Sequence, residues 1–201
     1  MPLIPLFPLD VVLFPGVGLP LHIFEPRYKA MIGECLAEKQ HFGVVRVHEN
    51  ALAPVGCTAE IVALLKRYDD GRMDIVTAGR RRFELLQLDH EREFVRAEVI
   101  FFDDEGGAPT QSELERAQKL HEEMATLVAS EQQLPTAEST AASFRLAAAL
   151  PSDLDFKQAL LAMRSEKERI VTLTEYYEAA IPKLRHMRAA QKRAGGNGHV
   201  H

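Results

Sequence analysis

Cysteine is scarce in this chain: Cys35 and Cys57 are the only two among 201 residues, and they form no Cys-x-x-Cys pair. Two thiols so placed build neither a disulfide framework nor a paired-ligand zinc site. There is no run of the roughly 20 apolar residues that a membrane-spanning helix needs. The opening stretch MPLIPLFPLD lacks a basic leader and holds three prolines, unlike a secretory signal peptide. No export signal and no cysteine framework together lead to the expectation of a reducing cytoplasm and no membrane partner. The dipeptide Gly-Lys occurs nowhere, which removes the phosphate-cradling loop of P-loop nucleotide hydrolases. A basic surplus is missing as well. Residues 1–107 hold 12 basic against 17 acidic side chains, and residues 108–201 hold 12 of each. Such a body presents no broad face for nucleic acid. Positive charge runs unopposed only after Glu178, at Lys183, Arg185, Arg188, Lys192 and Arg193. Those five are the candidates for nucleic-acid contact, and complementing a helix C-terminal dipole is their structural alternative.

What is present is ordinary globular material, 46% hydrophobic and 26% charged, enough for one large core or two small ones. From Leu3 to Leu21 the chain is apolar but broken by Pro5, Pro8, Pro15 and Gly16, which forbids a helix. Short edge or bulged strands with a turn at Pro15-Gly16 are expected. From Pro26 to Glu38 the apolar positions Tyr28, Met31, Ile32, Cys35 and Leu36 recur at three and four residues, one face of a helix with Pro26 in its first turn. Strands return at 42–47, 57–68, 72–89 and 94–102, all rich in β-branched and aromatic residues. Asp69-Asp70-Gly71 marks a hairpin, and Gly79 marks a bulge or corner in a long strand. Imperfect alternation in EIVALLKRY is expected from a strand buried on both faces of a closed or nearly closed sheet. After the polar stretch Asp103–Pro109 everything is helical. Thr110 with Glu113, and Ser165 with Glu168, form capping boxes, and Pro182 should kink or break the last helix. The organisation is thus α+β: a strand-rich unit over 1–107, a helical subdomain over 108–190 and a flexible tail over 191–201.

Several stretches taken together resemble a known family. PLFPLDVVLFPGVGLPLHIFEPRYKAMI (5–32), FGVV (42–45), VGCTAEI (55–61) and DGRMDIVTAGRRRFEL (70–85) are similar to the N-terminal, substrate-binding domain of Lon-type ATP-dependent proteases. The densest block is FPG…LPLHIFEPRY, and the likeness covers roughly residues 1–105. It implies a PUA-like β-pseudobarrel with one inserted helix, followed by a helical bundle. It also implies recognition of unfolded or tagged substrates, with the chemistry of full-length Lon in other domains. Lacking the phosphate loop, and with no room for the motor and protease modules, the chain is expected to be a stand-alone, non-catalytic relative. The expected activity is ATP-independent binding of unfolded or extended polypeptides by strand addition along an open barrel edge. RNA binding on a PUA-like fold, or service as an adaptor for a folded protein, are the alternatives, and a homo-oligomer is left open.

The expected peptide-contacting residues are Phe24, Glu25, Arg27 and Tyr28, where an extended strand meets the first helix. A purely structural role competes there: Glu25 complementing the helix start and Arg27 paired to an acid. No catalytic residue, cofactor or metal is expected. His22, Glu25 and Cys35 fall short of a four-ligand site. Cys35 and Cys57 have no basic neighbour in sequence, His41 aside, and read as core thiols. Arg80, Arg81 and Arg82 cannot converge on one face of a strand, so a solvated strand face is expected for them.

Overall fold

The computed structural model describes residues 2–128, 141–150 and 153–196, the last six of these by their backbone. In chain order the elements are β1 (Leu3–Leu9), β2 (Gly18–Ile23), α1 (Pro26–Glu38), β3 (Phe42–His48), β4 (Ala51–Leu52), β5 (Val55–Arg67), β6 (Met73–Asp89) and β7 (Arg96–Phe102). Four helices follow, α2 (Gln111–Val128), α3 (Ala142–Ala149), α4 (Leu154–Ala162) and α5 (Glu166–Gly196). The class is α+β.

Strands β1, β7, β6, β5 and β3 are neighbours in that order, and a parallel β1–β3 pairing (Leu6↔Gly43 to Leu9↔Arg46) closes the ring. The two prolines of β1 are tolerated because its ladders are divided. Leu3–Pro5 pairs with β7 and Leu6–Leu9 with β3, so each proline faces only one ladder. β1 is therefore a member of the ring and not an edge. Leu6, Val45, Phe83, Ala97 and Val99 form one small buried cluster of these strands.

Strand β6 changes partner midway. Met73–Ala78 pairs with β2, and Arg82–Asp89 pairs with β7. The switch falls at Gly79, where the segment before β2 crosses. Gly16 N–H donates to the Gly79 carbonyl (2.8 Å) and Gly79 N–H donates to the Val17 carbonyl (2.9 Å). A Cβ on Gly79 would sit 2.1 Å from the Phe14 carbonyl oxygen, so only glycine fits this crossing. Next to it lies the expected bulge: Cys57 pairs with Arg82 and Ala59 with Gly79, leaving Thr58 opposite both Arg80 and Arg81. The Thr58 hydroxyl ties that bulge, accepting from Arg81 N–H (3.0 Å) and donating to the Arg81 carbonyl (3.3 Å).

The helices pack on one another, α2 and α3 against α5, and α4 packs against β5. A larger cluster runs from Phe7, Phe14 and Phe42 to Phe144, Leu160, Leu173 and Tyr177, with the Phe14 and Phe144 rings stacked at 5.4 Å. The Thr110–Glu113 capping box forms reciprocally: Glu113 N–H donates to the Thr110 hydroxyl (3.3 Å) and Thr110 N–H to the Glu113 carboxylate (2.7 Å). Pro182 does not break α5, which runs through it to Gly196. The helix thereby reaches into the segment expected as tail, and residues 197–201 lie outside the described residues.

Buried charge ties strands to helices. Arg82 and Arg169 are both buried, and both bond Asp104: Arg82 Nη2 at 2.6 Å, Arg169 Nη1 and Nη2 at 2.7 and 2.5 Å. Arg82 also donates to the carbonyls of Leu161 and Met163 at the end of α4. Arg169 donates to the Ser143 hydroxyl (2.8 Å) and the Glu166 carboxylate (2.7 Å). Burial raises the Asp104 carboxyl pKa, but the two guanidiniums outweigh it and hold the group below the usual carboxylate range.

Candidate functional site

Beyond Gly79 the hairpin of β5 and β6 leaves the ring and, with β2, makes a three-stranded arm. On one face Met73, Ile75 and Thr77 of β6 are buried, and Met73 and Ile75 share a buried cluster with α1's Tyr28, Met31, Ile32 and Cys35. The distal part of β5 is different. Ile61↔Thr77 is followed by Ala63↔Val76, and Leu64↔Ile75 by Lys66↔Asp74, so Val62 and Leu65 are each an extra, bulged residue. Val62 (49% exposed), Leu64 (41%) and Leu65 (66%) stand open to solvent, as does Phe24 (60%) just after β2. The broken alternation of EIVALLKRY therefore marks two bulges and exposure, not burial on both faces. β3 pairs with β5 only as far as Ala59, so from Glu60 to Arg67 the outer edge of β5 has no strand partner among the described residues. The expected open edge exists, but on this arm and not in the ring.

The four residues singled out by sequence meet different neighbours. Phe24 belongs to the arm, its ring 6.1 Å from that of His22. Glu25 is the N-cap residue of α1 but makes no side-chain cap bond; it holds Arg27 instead, at 3.0 Å from Nε and 2.8 Å from Nη2. The Arg27 guanidinium lies 4.6 Å over the Tyr28 ring. Tyr28 itself is buried, edge-on to Phe7 at 4.2 Å. Arg27 and Tyr28 line a separate groove of about 350 Å³ with Val47, Leu52, Leu88 and Phe94. Val62, Leu64 and Leu65 went unnoticed in the sequence, although the irregular alternation was their signal.

The arginine triplet divides at the Thr58 bulge. Arg80 pairs with Glu60 (2.5 Å) and Arg81 lies over Phe101 (4.5 Å), both solvated as expected. Arg82 is buried, contrary to the solvated-face expectation: the bulge turns it away from Arg80, onto Asp104 and the α4 carbonyls.

Nothing on the arm assembles a catalytic set. Asp74 accepts from His22 Nδ1 (2.5 Å) and Tyr68 Oη (2.8 Å), bonds that hold its carboxyl below the usual range. Burial pushes the Cys35 thiol up to about 11 and Cys57 up to about 12, so both stay protonated at neutral pH. Among the described residues no three His, Cys, Asp or Glu side chains gather as a metal site, and no helix is long and apolar enough to cross a membrane. In the basic stretch, Arg185 pairs with Glu123 (2.7 Å) and Arg188 donates to the Thr126 carbonyl (3.1 Å), binding α5 to α2. Lys183 is exposed, and the side chains of Lys192 and Arg193 lie outside the described residues.

Comparison with known proteins agrees with this architecture. The Lon protease of Parabacteroides distasonis is 32% identical over 121 residues, 56% of this chain and 15% of that protein. The Lon protease of Flavobacterium johnsoniae is 26% identical over 200 residues, 90% of this chain and 24% of that protein. The chain thus spans about a quarter or less of these relatives' length. Among solved structures, the Lon N-terminal domain protein from Xanthomonas campestris superposes with a TM-score of 0.70 at 24% identity, covering 88% of this chain and 99% of that one. The N-terminal domain of the Mycobacterium avium complex Lon protease gives 0.62 at 16% identity, covering 88% and 98%. Their fold is the fold found here. The family model for the ATP-dependent protease La (LON) substrate-binding domain matches residues 3–178, strands and helices together, and the chain belongs to that family.

Proposed function

We propose that this chain binds extended or unfolded polypeptide segments on the distal arm, without ATP and without cutting them. The observation that carries the reading is the exposure of Phe24, Val62, Leu64 and Leu65 on an arm whose β5 edge has no strand partner among the described residues. A polypeptide laid along that edge gains main-chain hydrogen bonds while its apolar side chains cover those residues. The family's description as a substrate-binding domain supports a polypeptide ligand. The absence of a Gly-Lys phosphate loop from the sequence supports recognition without nucleotide hydrolysis. In this reading Phe24 contacts the ligand directly, and Glu25, Arg27 and Tyr28 shape a second, smaller contact at the groove beside α1. The expected setting is the cytoplasm, where unfolded segments arise continually.

Ordering a floppy segment offsets most of what one strand edge and a few apolar contacts contribute. Dissociation constants are therefore micromolar, about −7 to −8 kcal/mol. Titrating a labelled, chemically unfolded protein into the full chain tests this. Saturable micromolar binding, unchanged by added ATP, is the expected result. No saturation up to tens of micromolar, with a single folded protein retained instead, would make the chain an adaptor for native partners.

A further inference from the structure

We propose that two copies of this chain pair along their β5 edges, antiparallel and about a twofold axis at Ala63, and so cover the apolar arm when no polypeptide occupies it. The inference takes the exposed arm as its starting point but does not require that polypeptides bind there.

A long apolar edge left unpaired is a hazard that natural sheets blunt with proline, a covering element or charge. Between Glu60 and Arg67 there is no proline, and among the described residues no strand covers the outer side. Charge is present, but it is segregated: Glu60 stands at one end and Lys66 and Arg67 at the other, with Ile61 to Leu65 apolar between them. An edge that is acidic at one end and basic at the other repels a parallel copy of itself and complements an antiparallel one.

The register follows from the ladder. Glu60, Ala63 and Lys66 pair with Ala78, Val76 and Asp74, which alternate along β6 and so share one face. The two bulges bring these β5 residues onto that face at intervals of three. Glu60 and Lys66 are then equidistant from Ala63. A twofold axis through Ala63 sets Glu60 of each copy opposite Lys66 of the other, on the same face, twice. At the axis the two Ala63 residues face each other, and a methyl is small enough for two strands to meet there. Val62 and Leu64, half open in the single chain, fall opposite one another across the axis. Glu60 already carries Arg80, with His41 Nε2 3.9 Å away, so the partner's Lys66 adds a further cation to a carboxylate held in place for it. Lys66 is steadied from its own side by the Tyr68 ring, 4.3 Å away. So short an edge falls below the ~1,200 Å² of a standard interface, which makes the dimer reversible and leaves the arm available to a competing ligand.

Two measurements on the full chain test the pairing. Residues directly opposite in an antiparallel ladder have Cα atoms about 4.5–5.5 Å apart, inside the range a disulfide bridges. Under mild oxidation Ala63→Cys should therefore give a reducible covalent dimer. Ile100→Cys, exposed on β7, serves as the control and should cross-link at least about tenfold more slowly, as random collision allows; Cys35 and Cys57 are buried and stay out of the reaction. In sedimentation, the unmodified chain should self-associate with rising concentration. Glu60→Lys should weaken that association about tenfold or more by setting like charges opposite each other twice, and Glu60→Lys with Lys66→Glu should restore it. The proposal is overturned by a chain that stays monomeric at every concentration. It is equally overturned by cross-linking at residue 100 as fast as at 63, or by association that Glu60→Lys leaves unchanged. Neither measurement reads polypeptide binding, so a negative result here leaves the proposed function standing on its own test.

Discussion

The two ends of the β5–β6 hairpin distribute charge and apolar surface in opposite ways. At the base, where the helices pack, Arg82 is buried with Arg169 against Asp104, and carbonyls from the end of α4 take up the remaining donors. At the tip, beyond Gly79, Val62, Leu64 and Leu65 are open and the edge of β5 has no strand partner among the described residues. A buried guanidinium is tolerated only when its donors find acceptors, and the base supplies Asp104, Glu166, Ser143 and the α4 carbonyls. An exposed leucine costs little by itself, but several on one unpaired edge are a surface awaiting a partner. The base specifies the fold, and the tip carries the proposed function.

If this division is right, the base responds most strongly to substitution. Asp104→Ala leaves the buried Arg82 without its carboxylate and beside Arg169, which keeps only Glu166, a loss of about 3 kcal/mol or more. Arg169→Met removes one of those charges and leaves Asp104 paired to Arg82, so it should cost less. Urea denaturation of both variants orders them, and equal or reversed costs would break the account of the base. Next comes the hinge between the two regions. Gly79→Ala forces a Cβ onto the Phe14 carbonyl oxygen 2.1 Å away, and should cost about 2–3 kcal/mol. A Gly79→Ala chain with unaltered thermal stability would mean the crossing is looser than described.

The same division explains what could be read from sequence. Local signals were sufficient wherever structure is set locally: α1 runs from Pro26 to Glu38, the turn falls at Pro15-Gly16, the hairpin turns at Asp69–Gly71, and Thr110 caps α2 through Glu113. Three features escaped because they depend on parts of the chain distant in sequence. The bulges at Val62 and Leu65 exist only relative to β6, and each shifts the phase of the alternation, so apolar residues on an exposed edge looked like a buried strand. Arg82 looked solvated because its acid lies beyond β7 and its acceptor carbonyls at the end of α4, distant in sequence. Closure of the ring rests on a parallel pairing of β1 with β3, and no turn residue announces such a pairing. Of the candidate site, Phe24 was legible as a residue at a strand–helix junction. The leucines of β5 were legible only as an irregularity.

A smaller effect separates the helical packing from the arm by pH. His121 on α2 bonds the Tyr177 hydroxyl on α5 at 2.8 Å, and burial lowers its pKa from the ordinary 6.5, against a weak opposing pull from Glu122. Because the folded chain holds this imidazole neutral more firmly than the unfolded chain does, its contribution is complete above pH 6.5. It declines as pH falls below that value. Between pH 7 and 5 the stability should therefore drop through this group. His121→Phe should flatten that part of the profile while leaving polypeptide binding by the arm unchanged at neutral pH. A profile with the same slope in the variant would assign the pH dependence to other groups.

The most direct test of the division is Leu65→Asp in the full chain, measured for stability and for binding of an unfolded, labelled protein. Leu65 is bulged and two-thirds exposed, so the fold should hold within about 0.5 kcal/mol of the original in urea. Binding should weaken about tenfold or more, because a charge then stands where the apolar part of the ligand has to be covered. Unchanged binding in a chain of unchanged stability would contradict the account and place the polypeptide elsewhere on the molecule.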